Sequence, residues 1–480
     1  MKKMKIKKAY TPKSILIKNA TAIATVDEKR RVIKNGCVYI EGNEIVRVGK
    51  ELKEKAELKI DGRGMVVLPG LVNTHHHLYQ TLFRNVPRVQ DAKLFDWLLD
   101  LYEAWREIDT EAVYVSALTG ISELLLTGCT TASDLFYVFP KGKKGLLEAE
   151  IEAAEQLGIR FHPCRGSMSR GKSQGGLPPD DVVQSEDEII RDSRRITKEY
   201  HDDSKYSMRR IVLAPCSPFS VTSELLAKTA ELAREHSVMM HTHLAETLDE
   251  EEFCLKMHKM RPLEYMESLG WLGNDVWYAH AVYMNEKEIK KLAETGTGVA
   301  HCPTSNMRLG SGIAPISDMV RSGVKVGIAV DGSASNDSSN MLMEMRMAMM
   351  LQRVKNGVNS LSATEALELG TICGAAVLGR DDIGSIEVGK AADLILIDTR
   401  ELSFAGAMHD PVAATVFCAP SKVHTSIVDG KVLVSEGKLT HIDEDEVIEY
   451  QNKVAEKLIK KAERNTGKKY ILSNWKRACQ

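Results

Sequence analysis

The chain has 480 residues, a formal net charge of −2 at pH 7 and 27% charged residues. That length exceeds one small core and suits a large α/β barrel with an added domain. The balanced charge provides no global attraction for nucleic acid or an anionic membrane, which leaves a small-molecule enzyme as the leading class. Nine cysteines (Cys37, Cys129, Cys164, Cys216, Cys254, Cys302, Cys373, Cys418, Cys479) are scattered without a Cys-x-x-Cys pair. They read as reduced packing residues of a cytoplasmic protein. The basic stretch from Met1 to Lys8 is followed by no apolar segment long enough for a signal peptide or a membrane span.

In chain order, residues 14–17, 37–40 and 44–48 are short β-branched runs separated by Asn35-Gly36 and Glu41-Gly42-Asn43, which predicts hairpins and a small β unit. The same texture returns at residues 392–397 and 426–434, so the two chain ends are expected to pair into one β-sandwich. Between them, apolar strands alternate with helical segments. Strand candidates are 66–72, 130–135, 159–164, 211–216, 238–243, 276–281, 298–302 and 324–330. Segments 112–127, 146–157, 223–236 and 285–294 carry apolar residues at helical spacing. Eight alternations predict a (β/α)8 TIM-type barrel. Residues 167–187 form a Gly/Pro/Ser-rich loop, and 444–464 an amphipathic helix with Val447, Val454 and Leu458 on its apolar side. The expected organisation is 1–65 and 383–442 as the two parts of the sandwich, 66–382 as the barrel and 443–480 as a helical tail.

The first barrel strand ends in Asn73-Thr74-His75-His76-His77. Alternate residues of a strand share a face, so His75 and His77 project together and His76 points away. Alone, a His-x-His pair is more often a solvated strand end than a ligand set. Here the other strands end in the same way: His241-Thr242-His243-Leu244-Ala245-Glu246, then His280, His301 and Asp331. In such barrels chemistry gathers at the carboxyl ends of the strands, and so many buried polar ends are costly as mere packing. A divalent metal site is the reading they favour. His241 and His243 share one face, so position leaves both open as ligands.

These motifs resemble the amidohydrolase superfamily, in its branch of mononuclear-metal deaminases acting on heterocycles. The resemblance runs through Pro69-Gly70-Leu71-Val72-Asn73-Thr74-His75-His76-His77, His243-Leu244-Ala245-Glu246-Thr247, the His280 strand and Val330-Asp331-Gly332. Gly384-Ser385-Ile386-Glu387-Val388-Gly389-Lys390-Ala391-Ala392-Asp393-Leu394 looks like the family's return to its small β domain. The branch with two metals bridged by a modified lysine would need that lysine where this chain has Ala214-Pro215-Cys216-Ser217-Pro218, so one metal is expected. The resemblance implies that His75, His77, His243 and Asp331 hold that ion, with zinc expected and Fe2+ the alternative. It also implies that Glu246 protonates the ring nitrogen beside the reacting carbon. Asp331 and His280 would take the proton of the attacking water. The bland alternative for Glu246 is a first-turn carboxylate of the next helix.

Substrate contacts are expected from Gln80 and Arg84 after the metal histidines, Arg165 in the third-strand loop, His301 on the rim, and Trp97 with Phe95 as an apolar lid. For the two arginines an intraprotein ion pair is the competing reading. The expected reaction is hydrolytic deamination of an oxidised purine or a pterin, with 8-oxoguanine leading and isoxanthopterin, guanine and s-triazines competing. A non-catalytic metal-binding scaffold is the reading from another class, and it predicts losses among Glu246, His280 and Asp331 that this chain does not show. A homo-oligomer, dimer or larger, is expected, and the methionine-rich run from Met341 to Met350 reads as flexible core or interface filling.

Overall fold

The computed structural model describes residues 4–418 and 420–471. Cys479 lies outside them. Eight parallel strands follow one another around a barrel: Leu71–Asn73, Cys129–Phe136, Arg160–Ser167, Val212–Pro215, Met239–Leu244, Val276–His280, Gly298–His301 and Val326–Ile328. Helices such as Thr110–Leu126, Leu146–Leu157, Ser223–Glu235 and Glu286–Thr295 cover the outside. Their ends follow local chemistry. Asp109 accepts from the Ala112 amide to start one, and Gly158, at φ 76°, ends another in the left-handed conformation that glycine tolerates.

The barrel closes between its first and last strands. Thr74 donates both its amide (3.1 Å) and its hydroxyl (3.0 Å) to the Ile328 carbonyl. Just beyond, His76–His77 pairs in parallel with Asp331–Gly332. Closure therefore sets His75 and His77 beside Asp331, and the last expected strand, 324–330, is shorter than its apolar run because this separate two-residue pair completes the seam.

The run 66–72 is corrected in a different way. It is not one strand: Met65–Pro69 pairs antiparallel with Leu394–Asp398, whereas Leu71–Asn73 pairs with Cys129–Phe136 in the barrel. Gly70 is the switch, its amide bonded to the Asp393 carbonyl at 2.9 Å while that of Leu71 reaches the Gly128 carbonyl at 2.9 Å. The strands of the two chain ends join in one nine-stranded sheet. One face encloses its own core of Ile15, Ile17, Val38, Ile40, Val67, Leu394 and Leu396. The buried pair Arg160–Asp393 (2.9 Å) ties the sheet to the barrel.

The tail helix, Glu444–Thr466, buries Val447, Val454 and Leu458 as expected. It packs on Thr110–Leu126 and Leu94–Trp105, and Gln451 donates to the Thr81 hydroxyl at 3.0 Å. It thus braces the turn that follows the metal-site histidines. The methionine-rich run begins the helix Met341–Asn356. Met341, Met345 and Met349, one turn apart, face the core, while Met343 is exposed, so the alternation reflects an apolar residue on both faces.

A side chain at Gly70 would enter the space of the Thr130 hydroxyl and methyl. Gly70→Ala is expected to lower stability by about 1–3 kcal/mol through overpacking. Thr130→Ala added to it should recover part of that loss, as measured by chemical denaturation of the two single variants and the double variant.

Candidate metal centre and active site

The strand ends converge as the alternation requires. His75, His77 and His243 offer ring nitrogens within 4.8 Å of one another, and His75, His280 and Asp331 form an overlapping group. His77 Nε2 lies 3.0 Å from His243 Nε2, and Asp331 Oδ1 is 3.3 Å from His75 Nε2 and 3.4 Å from His77 Nε2. Ligands about 2.0–2.1 Å from a tetrahedral ion are about 3.3–3.4 Å apart, so this spacing fits one ion.

The hydrogen-bond network assigns the tautomers. His77 Nδ1 donates to the Leu135 carbonyl at 2.7 Å, and His243 Nδ1 to the Cys216 carbonyl at 2.6 Å. His241 Nδ1 donates to the Trp277 carbonyl at 2.9 Å, so its Nε2 can only accept, and it accepts from His75 Nδ1 at 2.7 Å. All three remaining Nε2 atoms therefore present lone pairs to one point. Lone pairs facing each other at 3.0 Å repel unless a cation lies between them. His75 Nε2, buried with no hydrogen-bond partner, is part of the same pattern. The donors present fit a divalent ion.

Protonation agrees with that fit. Burial pulls His75 and His243 well below the usual imidazole range, which keeps both neutral. Burial would raise Asp331, but the imidazoles of His75, His280 and His77 outweigh it and hold the carboxylate well below its ordinary value. His241, with the same parity as His243, stands behind His75 rather than beside it, stacked on Trp277 at 4.4 Å.

Glu246 and His280 sit at the lip of the cluster. His280 Nδ1 bonds to Asn306 Oδ1 at 2.9 Å, leaving Nε2 3.5 Å from Glu246 Oε2 and 3.9 Å from Asp331 Oδ2. Glu246 Oε1 accepts from the Ser311 hydroxyl at 3.1 Å. Burial pushes the Glu246 carboxyl up. Burial pulls His280 down, but the carboxylates of Glu246 and Asp331 outweigh it, so its net shift is upward. His280 and Asp331 both have left-handed backbones, φ 73° and 63°, a strained state for residues that carry a Cβ. Ser335, whose hydroxyl donates to Asp331 Oδ2 at 3.3 Å, completes the edge.

A cavity opens onto these groups, with His77, Gln80, His243, Glu246, His280 and Asp331 in its lining. The helix Leu94–Trp105 covers it with Leu94, Trp97, Leu98 and Tyr102, which share one face. Trp97 is further fixed by its Nε1 donating to the Ala334 carbonyl at 3.3 Å. Tyr137, Phe219 and Leu309 add ring and apolar walls. Gln80 enters from the turn Leu78–Phe83, its Oε1 buried with no hydrogen-bond partner among the described residues.

Four of the residues expected at the substrate lie outside the cavity lining. Arg84 pairs with Glu123 and bonds the hydroxyls of Ser333 and Ser339, away from the cavity wall. Arg165 is fully buried, bonded to Asp192 at 2.7 Å and Gln184 at 2.9 Å, with Phe139 4.0 Å below its guanidinium. Both are intraprotein ion pairs, because each found a carboxylate before it reached the cavity. His301 is buried outside the cavity lining, and neither ring nitrogen is hydrogen-bonded among the described residues. Phe95 meets Phe219 in a tilted contact, ring centroids 5.2 Å apart, rather than lining the cavity itself. Sequence reasoning missed Tyr102, Tyr137, Ser217 and Ser335. Ser217 was accessible to the strand-end rule, since it follows the fourth strand, but Tyr102 carried no sign beyond the helical apolar spacing of its neighbours.

The amidohydrolase family model matches residues 66–433. The 8-oxoguanine deaminase of Pseudomonas aeruginosa is 43% identical over 89% of this chain and 95% of its own. An isoxanthopterin deaminase from an unknown prokaryotic organism is 36% identical over 85% of this chain and 89% of its own. Among solved structures, the atrazine chlorohydrolase TrzN from Arthrobacter aurescens TC1 complexed with zinc superposes with a TM-score of 0.88, at 34% identity over 92% of this chain and 100% of its own. With the barrel, the His/Asp cluster and these matches together, the chain belongs to the amidohydrolase family.

Proposed function

We propose that this chain is a metal-dependent aminohydrolase that converts 8-oxoguanine and water to urate and ammonia. The observation that carries the reading is the pairing of a His/Asp cluster with Glu246 and His280, 3.5 Å apart, at the floor of a ring-walled cavity. The 43% identical 8-oxoguanine deaminase supports the choice of substrate. His75, His77, His243 and Asp331 are the proposed ligands, with zinc the favoured ion and Fe2+ its competitor. When bound, such an ion lowers the pKa of water and so makes hydroxide available at neutral pH.

The chain's own groups then handle protons. Glu246, whose carboxyl burial pushes up, donates to the ring nitrogen beside the amino-bearing carbon, which makes that carbon electrophilic. Asp331 and His280 take the water's proton as the C–O bond forms. Asp331 returns a proton to the amino group as the C–N bond breaks, and ammonia leaves. The hydroxyl left on the carbon loses its proton to Glu246 and becomes the new carbonyl of urate. Gln80, with an unpaired Oε1, reads a polar edge of the ring, and Trp97 with Tyr102 covers its face. The described cysteines are free, which suits a reducing cytoplasm, and no helix among the described residues is long and apolar enough to cross a membrane.

Ammonia release by the metal-loaded protein, measured over 8-oxoguanine, isoxanthopterin, guanine and amino-substituted s-triazines, is expected to be fastest with 8-oxoguanine. Glu246→Gln should lower kcat by about 10²–10⁴-fold while keeping its metal. Faster turnover of a triazine or a pterin would replace the substrate, and full activity in Glu246→Gln would remove that residue from the mechanism. His241→Phe should leave a folded protein whose metal affinity is about 10–100-fold weaker, read by competition with a chelator, because His75 loses the acceptor that orients it.

A further inference from the structure

Glu250 is completely buried in the first turn of the helix Leu248–His258 and has no cationic partner among the described residues in its hydrogen bonds and ion pairs. Its two oxygens accept two consecutive backbone amides, Ala245 N at 2.8 Å and Glu246 N at 3.2 Å. We propose that Glu250 is a positioning residue, holding the turn that carries Glu246 so that the Glu246 side chain is aimed into the cavity. This rests on the proton-transfer role of Glu246 given above.

The geometry is not that of an ordinary helix start. A glutamate three residues into a helix usually bonds the amide of the capping residue, here Thr247. Glu250 reaches past it to the two residues before. The helix does not need this buried carboxyl for its dipole either, since Asp249 and Glu251 already stand in its first turn.

What the turn needs is restraint. Ala245 has φ 51°, a left-handed conformation that an alanine adopts only when its surroundings impose it. On the carbonyl side, Ala245 O accepts from Val282 N and Tyr283 N at 3.0 Å each, and Leu244 O from Ala281 N at 3.0 Å. These bonds join the turn before Glu246 to the turn after His280. On the amide side Glu250 supplies both bonds. Removing it releases the half of the peptide geometry that sets the direction of the Glu246 side chain, while the ligand strand Met239–Leu244 keeps its own ladder to Val276–His280.

The test compares Glu250→Gln with Glu250→Asp. Glutamine keeps the volume but offers one acceptor oxygen for two amides, and aspartate keeps the carboxylate on a shorter arm. For Glu250→Gln we expect one metal per chain, kcat lower by roughly 100-fold and KM within about threefold of the parent. Glu250→Asp should recover part of kcat. Hydrogen exchange at the Ala245 and Glu246 amides should be faster in Glu250→Gln and nearer the parent in Glu250→Asp. Wild-type kcat in Glu250→Gln, unchanged exchange, or loss of metal would each overturn the proposal, the last by making the residue a general support of the fold. If the parent turns over none of the heterocycles, the functional reading fails separately. The amide exchange of a metal-loaded Glu250→Gln then decides: faster exchange supports the positioning role and unchanged exchange ends it.

Discussion

Three imidazole lone pairs directed at one point, with a carboxylate beside them, form the constraint on which this structure depends. Each lone pair exists because the other nitrogen of its ring gives its proton to a fixed acceptor: the Leu135 carbonyl, the Cys216 carbonyl and, through His241, the Trp277 carbonyl. Those acceptors lie in or just beyond three different barrel strands, so the barrel's register sets which ring nitrogens carry protons. The fourth donor arrives by closure of the barrel, where His76–His77 pairs with Asp331–Gly332. A change of register at that seam would turn the histidines to the wrong face and remove the carboxylate together.

The same strand ends carry backbone strain. Ala245, His280, Ala281 and Asp331 all adopt positive φ, and bonds from one turn to the next hold three of them in place. Glu246 and His280 are thus aimed by main-chain geometry, while burial under the apolar cover raises the Glu246 carboxyl and the neighbouring carboxylates raise His280. Leu94–Trp105 provides that cover, and the tail helix Glu444–Thr466 packs behind it. A segment far from the chemistry in sequence so helps to keep water away from the buried carboxyl of Glu246.

Much of this was legible from residue order because strands have a period of two. His75 and His77 on one face, with His76 turned to the Ser339 hydroxyl at 3.0 Å, follow from parity alone. Parity could not separate His241 from His243, since only the tertiary fold shows which of them has the Trp277 carbonyl behind it. Nor could an apolar run reveal that it serves two sheets: residues on both sides of Gly70 are β-formers, and the switch is visible only in the partners Asp393 and Gly128. Arg84 and Arg165 were misplaced for a related reason. A guanidinium takes the nearest carboxylate, and Glu123 and Asp192 are distant in sequence.

The claim that one ion is held by nitrogen and oxygen is most directly tested by zinc K-edge X-ray absorption on protein loaded to its binding stoichiometry. The Cys216 thiol, 3.9 Å from His243 Nδ1, makes the measurement discriminating, because it is the soft donor closest to hand on the cavity wall. The account predicts one zinc per chain and a shell of nitrogen and oxygen scatterers at about 2.0–2.2 Å, with the outer-shell pattern of imidazoles. A sulfur scatterer at about 2.3 Å, or two zinc ions per chain at saturation, would contradict it.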